Sequence, residues 1–404
     1  MQPIPGQYER YRIALKGERL PLAFVDLDHF DRNVCYVAET QAATGKTIRV
    51  HTKSLRCVEM TRRVFEIGGA AYRGLMTFTV EETAHLAAQG FDDFIIAYPT
   101  VQASDLRILA DLARGGKNAR LMVDSNEHLD ALSAAATAAG VTLRACVDID
   151  MSYRPAGLTH LGTRRSPLRT ADAAARLVEH ARALPGVEIR AVMGYEAHIA
   201  SLGDAVPGKT LRNAAARALK KRSIGELTPR RGGVVARMRA AGAAIDIVNG
   251  GGSGSLRSTG ADPCVTEVTA GSAFYAPALF HHYQDVSFTP AAFFALQVVR
   301  TPAPSIVTCL GGGYVASGAA GPDKLPVPVY PEGLRLIALE GAGEVQTPLA
   351  LPHGAPPLRP GDPVIFQHAK AGELAERFDE LVLVRGETVI GRARTYRGEG
   401  RCFL

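Results

Sequence analysis

Short runs of β-branched and apolar residues, at 22–27, 47–51, 71–75, 93–97, 120–123, 143–149, 188–193 and 245–249, alternate with longer amphipathic, alanine-rich stretches. The spacing predicts helices between them over 30–44, 80–89, 103–115, 126–139, 171–184 and 234–241. Eight strands separated by helices point to a closed (β/α)8 barrel of the α/β class, because right-handed parallel crossovers repeated this often close on themselves. An open doubly wound sheet is the rival. Residues 202–233 are irregular in pattern, basic and glycine-bearing, and read as an elaborated loop or broken helix at one barrel face.

The pattern changes near Ser287. From there proline, glycine and valine dominate, and strand-like pieces at 295–300, 305–309, 334–340, 363–367, 380–385 and 388–395 are separated by turn signals. Residues 381–384 and 388–393 read as a hairpin across Arg385-Gly386-Glu387. The expected organisation is a barrel over 18–286 followed by a smaller, mostly antiparallel β domain over 287–404, with 1–17 as a contributor to the latter.

Composition narrows the class. A chain of 404 residues, 47% hydrophobic and 21% charged, can bury a large core, and no apolar stretch approaches the ~18 residues that cross a bilayer. The start Met1-Gln2-Pro3-Ile4-Pro5-Gly6 lacks the basic and apolar regions of a signal peptide, so a cytoplasmic location without membrane attachment is expected. Cys35, Cys57, Cys146, Cys264, Cys309 and Cys402 show no paired short spacing, and reduced thiols are expected rather than a zinc site or disulfide framework. The net charge of +6 is spread along the chain without aromatic interleaving, which favours a solvated basic surface over nucleic acid as a partner, with basic residues able to attract anionic substrates.

Two features carry chemistry. Lys53 ends the run Thr47-Ile48-Arg49-Val50-His51-Thr52-Lys53, and a lysine at the carboxyl end of a buried strand sits at the mouth of a barrel, where desolvation makes an amine nucleophilic and suits it to Schiff-base formation. Taken alone, a strand-end lysine reaching solvent is the favoured reading, and the rest of the chain has to move it. The second is Asn249-Gly250-Gly251-Gly252-Ser253-Gly254-Ser255, directly after an apolar strand. Glycines let backbone N–H groups turn toward an anion, and barrels commonly build a phosphate site from the loops after their last two strands. Its alternative is a tight turn without a ligand. The run does not fit a nucleotide-hydrolysing P-loop. A strand-end amine and a late phosphate turn on one barrel together point to pyridoxal phosphate, whose aldehyde needs the first and whose phosphate needs the second.

The chain resembles the pyridoxal-phosphate enzymes of the alanine racemase fold, and within them the D-threonine aldolase and D-serine dehydratase group. The resemblance rests on Phe24-Val25-Asp26-Leu27-Asp28, Arg49-Val50-His51-Thr52-Lys53, Gly194-Tyr195-Glu196-Ala197-His198, the glycine run from Asn249, and Glu267-Val268-Thr269-Ala270-Gly271-Ser272, in that order. It implies that Lys53 forms the Schiff base and that Gly251, Gly252, Ser253, Gly271 and Ser272 hold the phosphate. Arg165, with Arg164 as its alternative, would reach the cofactor's phenolic oxygen. Tyr195 and His198 would line the substrate pocket, His198 as the acid/base candidate because imidazole titrates near neutrality; a buried structural histidine is the other reading. His51 is expected to be structural.

The implied reaction is cleavage of small β-hydroxy amino acids of D configuration to glycine and an aldehyde. The alternative is dehydration and deamination to a 2-oxo acid, with racemisation or non-catalytic cofactor carriage behind both. In this group a divalent metal is held by a histidine and by a residue two positions on. Here those positions are His368 and Lys370, and an ammonium repels a metal. Glu373 or Glu376 could supply an oxygen in its place; otherwise Lys370 takes the metal's electrostatic role and no ion binds. A homodimer is expected, with the terminal domain of one subunit approaching the barrel mouth of the other.

Overall fold

The computed structural model describes residues 6–155 and 159–404. Its first strand, β1 (Leu22–Asp26), precedes eight parallel strands that close into a barrel: β2 (Thr47–His51), β3 (Tyr72–Thr77), β4 (Phe94–Ile96), β5 (Ala119–Val123), β6 (Leu143–Asp148), β7 (Val187–Gly194), β8 (Ile247–Gly250) and β9 (Glu267–Ala270). Helices cover the outside, and the loops into them end in side chains that cap the orphan amides of the first turn. Thr79 accepts from the amide of Glu82, Ser125 from His128 and Thr170 from Ala173. Inside, Met76, Ile95, Met122, Cys146, Ala191 and Met193 fill the barrel axis.

The strand count is eight, but its membership differs from the expected one. Leu22–Asp26 lies outside the barrel, antiparallel to β10 (Ala292–Ala303) with Leu22 opposite Ala295, and parallel to a strand near the chain's end. All five of its residues are buried, and an apolar run of that kind does not announce which sheet it will join. The eighth barrel strand is instead Glu267–Ala270, which pairs with β8 and with β2.

The second sheet continues with β11 (Ile306–Leu310), β12 (Val327–Tyr330), β13 (Arg335–Leu336), β14 (Gln346–Ala350), β15 (Pro363–Gln367), β16 (Glu380–Arg385) and β17 (Thr388–Arg394). Every pairing in it is antiparallel except β1 with β16. The helix Gln7–Ala14 packs on this sheet through Tyr11, whose ring lies against Phe24 and Phe293 and whose hydroxyl donates to Asp26 Oδ2 at 2.9 Å.

Residues 210–233, expected to be irregular, form most of one 31-residue helix, Thr210–Ala240, with Pro229 and three glycines inside it. Its buried stripe runs Asn213, Ala216, Lys220, Ser223, Leu227, Arg231, Val234 and Met238. The spacing is helical, but half of those positions are polar, so hydrophobic periodicity hides the helix. Among the described residues no helix is long and apolar enough to cross a membrane, and all six cysteines are free.

Candidate active site

The carboxyl ends of the barrel strands surround a cavity of about 250 Å3. Lys53 enters it from the single 3-10 turn Thr52–Ser54 that follows β2. Its carbonyl accepts from Arg56 Nε at 3.1 Å, and Arg56 in turn pairs with Glu376 of the terminal domain at 2.6 Å. The Lys53 side chain has no hydrogen bond or ion pair among the described residues, so its amine is free for a ligand.

Opposite Lys53, the turns after β8 and β9 converge. Gly251 adopts φ +75°, the left-handed region that favours glycine, and a Cβ there would meet Thr259 Oγ1 at 2.7 Å. Ser253 Oγ accepts the amides of Gly271 at 3.2 Å and Ala273 at 3.0 Å, which leaves its own proton to donate elsewhere. The amides of Ser253, Gly254 and Ser272 find no acceptor among the described residues. Unsatisfied amides and a hydroxyl proton gathered on one concave wall are the donor set an anion requires, and a phosphate fits it.

The glycine turn is braced from behind. Glu196 Oε2 accepts the Gly251 amide at 2.8 Å, and Glu196 is itself bonded to the buried Arg231, which also pairs with Asp262 at 2.6 Å and donates to the Gly194 carbonyl at 3.2 Å. This is where the polar stripe of the Thr210–Ala240 helix is spent: it fixes the turn through a buried charge network. On the floor, Asn249 donates to Glu267 Oε1 at 2.8 Å and accepts from Thr269 Oγ1 at 3.0 Å.

Arg165 supplies a second cation to the wall, its guanidinium 5.6 Å from the Tyr98 ring and 5.7 Å from the Tyr195 ring. Arg164 does not line the cavity. Tyr195 hydrogen-bonds Ser201 Oγ at 3.1 Å, and burial raises its phenol's pKa.

Residues 25–278, more than half of the chain, match the family model described as "Alanine racemase, N-terminal domain". The chain belongs to that family. It is 25% identical over 309 residues to a D-threonine aldolase of Arthrobacter sp, covering 76% of this chain and 74% of that protein. It is 26% identical over 235 residues to a 3-hydroxy-D-aspartate aldolase of Paracoccus denitrificans, covering 58% of this chain and 54% of that one. Among solved structures, D-threonine aldolase from Filomicrobium marinum superposes with a TM-score of 0.80 at 22% identity, over 96% of each chain. D-threo-3-hydroxyaspartate dehydratase from Delftia sp. HT23 gives 0.77 at 18% identity, over 95% of this chain and 98% of that one. At these identities the superpositions establish the fold.

The alanine racemase-like barrel brings together Lys53, Arg165, Tyr195, Gly251, Gly252, Ser253, Gly271 and Ser272. His198 is not among the lining residues. Its Nε2 is bonded to Ser223 Oγ on the long helix, its Nδ1 is buried without a partner among the described residues, and burial lowers its pKa. His51, expected to be structural, does line the cavity. Its Nδ1 lies 3.0 Å from the Met76 carbonyl, so that nitrogen carries the proton and Nε2 keeps a lone pair. Burial, reinforced by the Lys53 charge, drops its pKa to about 3 and keeps the ring neutral.

On the two expected metal ligands, His368 Nε2 and Glu373 Oε2 are each buried without a partner among the described residues. His368 is tied through Nδ1 to the Ala292 carbonyl at 3.1 Å, burial lowers it to about 4, and Glu373 accepts from the Ser317 amide at 2.9 Å. Neither lines the cavity, and no group of three His, Cys, Asp or Glu residues among those described is arranged to hold an ion. From that segment Lys370 reaches the wall.

Proposed function

We propose that the chain is a pyridoxal-phosphate-dependent lyase that cleaves small β-hydroxy amino acids of D configuration to glycine and an aldehyde. The observation that carries this reading is the single cavity in which an unpartnered strand-end lysine faces a turn of unsatisfied amides and the Ser253 hydroxyl. The similarity to two D-amino-acid aldolases supports the substrate class.

When bound, the cofactor supplies a ring that draws electrons from whichever bond at Cα stands perpendicular to it. The protein's part is to bind and orient. Lys53 provides the amine for covalent attachment. Ser253, Ser272 and the amides after β8 and β9 hold the phosphate, and Glu196 keeps the Gly251 turn in place. Arg165, set against the Tyr98 and Tyr195 rings, would offer a positive charge to the cofactor's phenolic oxygen. Neutral His51 offers a hydrogen-bond acceptor without adding another cation. With its amine free, Lys53 would hold the proton that moves to or from Cα.

The second reading is dehydration to a 2-oxo acid and ammonia, favoured by 26% identity over 138 residues, 34% of this chain, to a D-threo-3-hydroxyaspartate dehydratase of Delftia sp.. The same cavity serves both. The test is to load the protein with pyridoxal phosphate, reduce it with borohydride and map the adduct by mass spectrometry, then assay D-threonine for glycine, acetaldehyde and 2-oxobutanoate. An adduct on Lys53 with glycine and acetaldehyde is expected. A 2-oxo acid with ammonia selects the second reading, and absence of an adduct on Lys53 ends both. A homodimer in the cytoplasm completes the proposal, and light scattering checks the particle mass.

A further inference from the structure

One side chain of the terminal domain, Lys370, lines the cavity. The segment that carries it is fixed before and after. The amides of Ala278 and Leu279 donate to the carbonyls of His368 and Ala369 at 3.0 and 3.1 Å. Gly372, at φ +103°, passes so close to the Lys53 carbonyl that a Cβ would lie 2.3 Å from it. Between these anchors Lys370 Nζ donates to the Ser317 carbonyl at 3.0 Å, and the Ser317 amide donates to Glu373 Oε1 at 2.9 Å. One acceptor occupies one of the ammonium's three protons and leaves two for a ligand.

The rest of the wall matches this use. Lys53 and Arg165 are its other cations, and no Asp, Glu or Cys lines it among the described residues. A divalent cation requires anionic or lone-pair donors, and this wall offers the single imidazole His51 together with a fixed positive charge that would repel the ion.

Building on the proposed lyase reading, we infer that Lys370 binds substrate directly, its ammonium donating hydrogen bonds to the oxygen on the substrate's β-carbon. A covalently anchored monovalent charge then serves where the family resemblance implies an ion. In the cleavage step the O–H proton leaves to a base, the C=O bond of the aldehyde forms, the Cα–Cβ electron pair passes to Cα, and Cα then takes up a proton. The Lys370 side chain donates to the oxygen as negative charge grows on it and so stabilises it.

The test uses holoenzyme in two arms. In the first, wild-type protein is treated with a chelator, desalted and assayed on D-threonine, and activity within about twofold of the untreated enzyme is expected. Loss of activity restored by Mn2+ overturns the inference. In the second, Lys370→Met and Lys370→Arg are compared for cofactor absorbance, for inhibition by D-2-aminobutyrate, which lacks the hydroxyl, and for kcat/KM on D-threonine. For Lys370→Met, absorbance and the inhibition constant should hold within about twofold while kcat/KM falls about 100-fold, with Lys370→Arg between. Equal losses for both ligands, or none for D-threonine, overturn it. A wild-type protein that takes up no cofactor, or cleaves no β-hydroxy amino acid, fails the proposed function instead, and the two failures are thereby distinct.

Discussion

At the N-terminal end of the barrel a cavity of about 440 Å3 is walled by Arg73, Arg120, Arg144 and Arg190, while the smaller cavity at the C-terminal end carries Lys53, Arg165 and Lys370. The arginines of the first are matched to partners: Arg73 and Arg120 to Asp93 at 3.3 and 2.8 Å, Arg190 to Asp246 at 2.7 Å, and Arg144 to Asn118 Oδ1 at 2.5 Å. Beneath them Arg49 uses all five of its donors, on both carboxylate oxygens of Glu267, on Asp93 Oδ1 and on the carbonyls of Leu75 and Asp93. At the other end, none of the three cations pairs with a carboxylate among the described residues. The larger cavity is therefore a stabilising feature and the smaller one a binding site. Unpaired charge, not volume, separates them.

If that contrast is right, removing a charge from the paired end should cost stability and spare cofactor binding. Arg49→Met leaves Glu267 buried without its partner, and such a loss typically costs about 3–5 kcal/mol. Urea unfolding of the cofactor-free protein should show it, while the folded fraction keeps its affinity for pyridoxal phosphate. A loss below about 1 kcal/mol would mean that Asn249 and solvent already satisfy Glu267, and the paired end would lose its distinction.

The same two ends explain what could be read in the chain. The helix Asn126–Ala139 and the strands Pro363–Gln367 and Glu380–Arg385 coincide with their expected ranges, because apolar spacing, caps and turns agree there. Glu267–Ala270 was legible as a motif but not as a strand. Its Glu267 and Thr269 point into the polar layer around Arg49 and Asn249, so its alternation runs opposite to that of an ordinary strand over a hydrophobic core. The long helix was hidden for the same reason, since Lys220 and Arg231 lie on its buried face, paired with Asp204 and with Glu196 and Asp262. At the mouth, Lys53 and the glycine turn each had a bland alternative in the sequence, and only their occurrence together on one barrel pointed to a site. His51 and the inward reach of Lys370 required the fold, one because its neighbour Met76 comes from another strand, the other because its loop is pinned by distant backbone.

A sharper probe of the unpaired end is Asp148, the last residue of β6, a buried carboxylate that burial lifts to about 7 against the opposing pull of Arg165. In the unfolded chain the same group titrates near ~3.9. Its folded form binds the proton more tightly, so its stability contribution is complete below about pH 4 and is lost as pH rises through about 7. Asp148→Asn removes that loss. In cofactor-free protein the variant should gain roughly 2 kcal/mol on the wild type between pH 5 and pH 8.5, read from urea midpoints. Were Asp148 a true partner of Arg165, the variant would instead be the less stable of the two at pH 8.5, and the mouth would resemble the other end.

The smallest expected effect discriminates most finely, because it asks whether the glycine turn is built for an anion or for itself. Ser253 Oγ satisfies the amides of Gly271 and Ala273, and its remaining proton is free to donate. Ser253→Ala removes both functions. Two amides lose a partner, which destabilises the apoprotein by about 1 kcal/mol, and a bound phosphate loses one donor, worth about another 1 kcal/mol, or roughly five- to tenfold in affinity. Titration of apoprotein with pyridoxal phosphate measures the second, and its competition with inorganic phosphate assigns the change to the anion. A variant that is less stable yet binds the cofactor as tightly as the wild type would show the hydroxyl to be a brace within the turn, leaving the amides of Ser253, Gly254 and Ser272 to hold the phosphate without it.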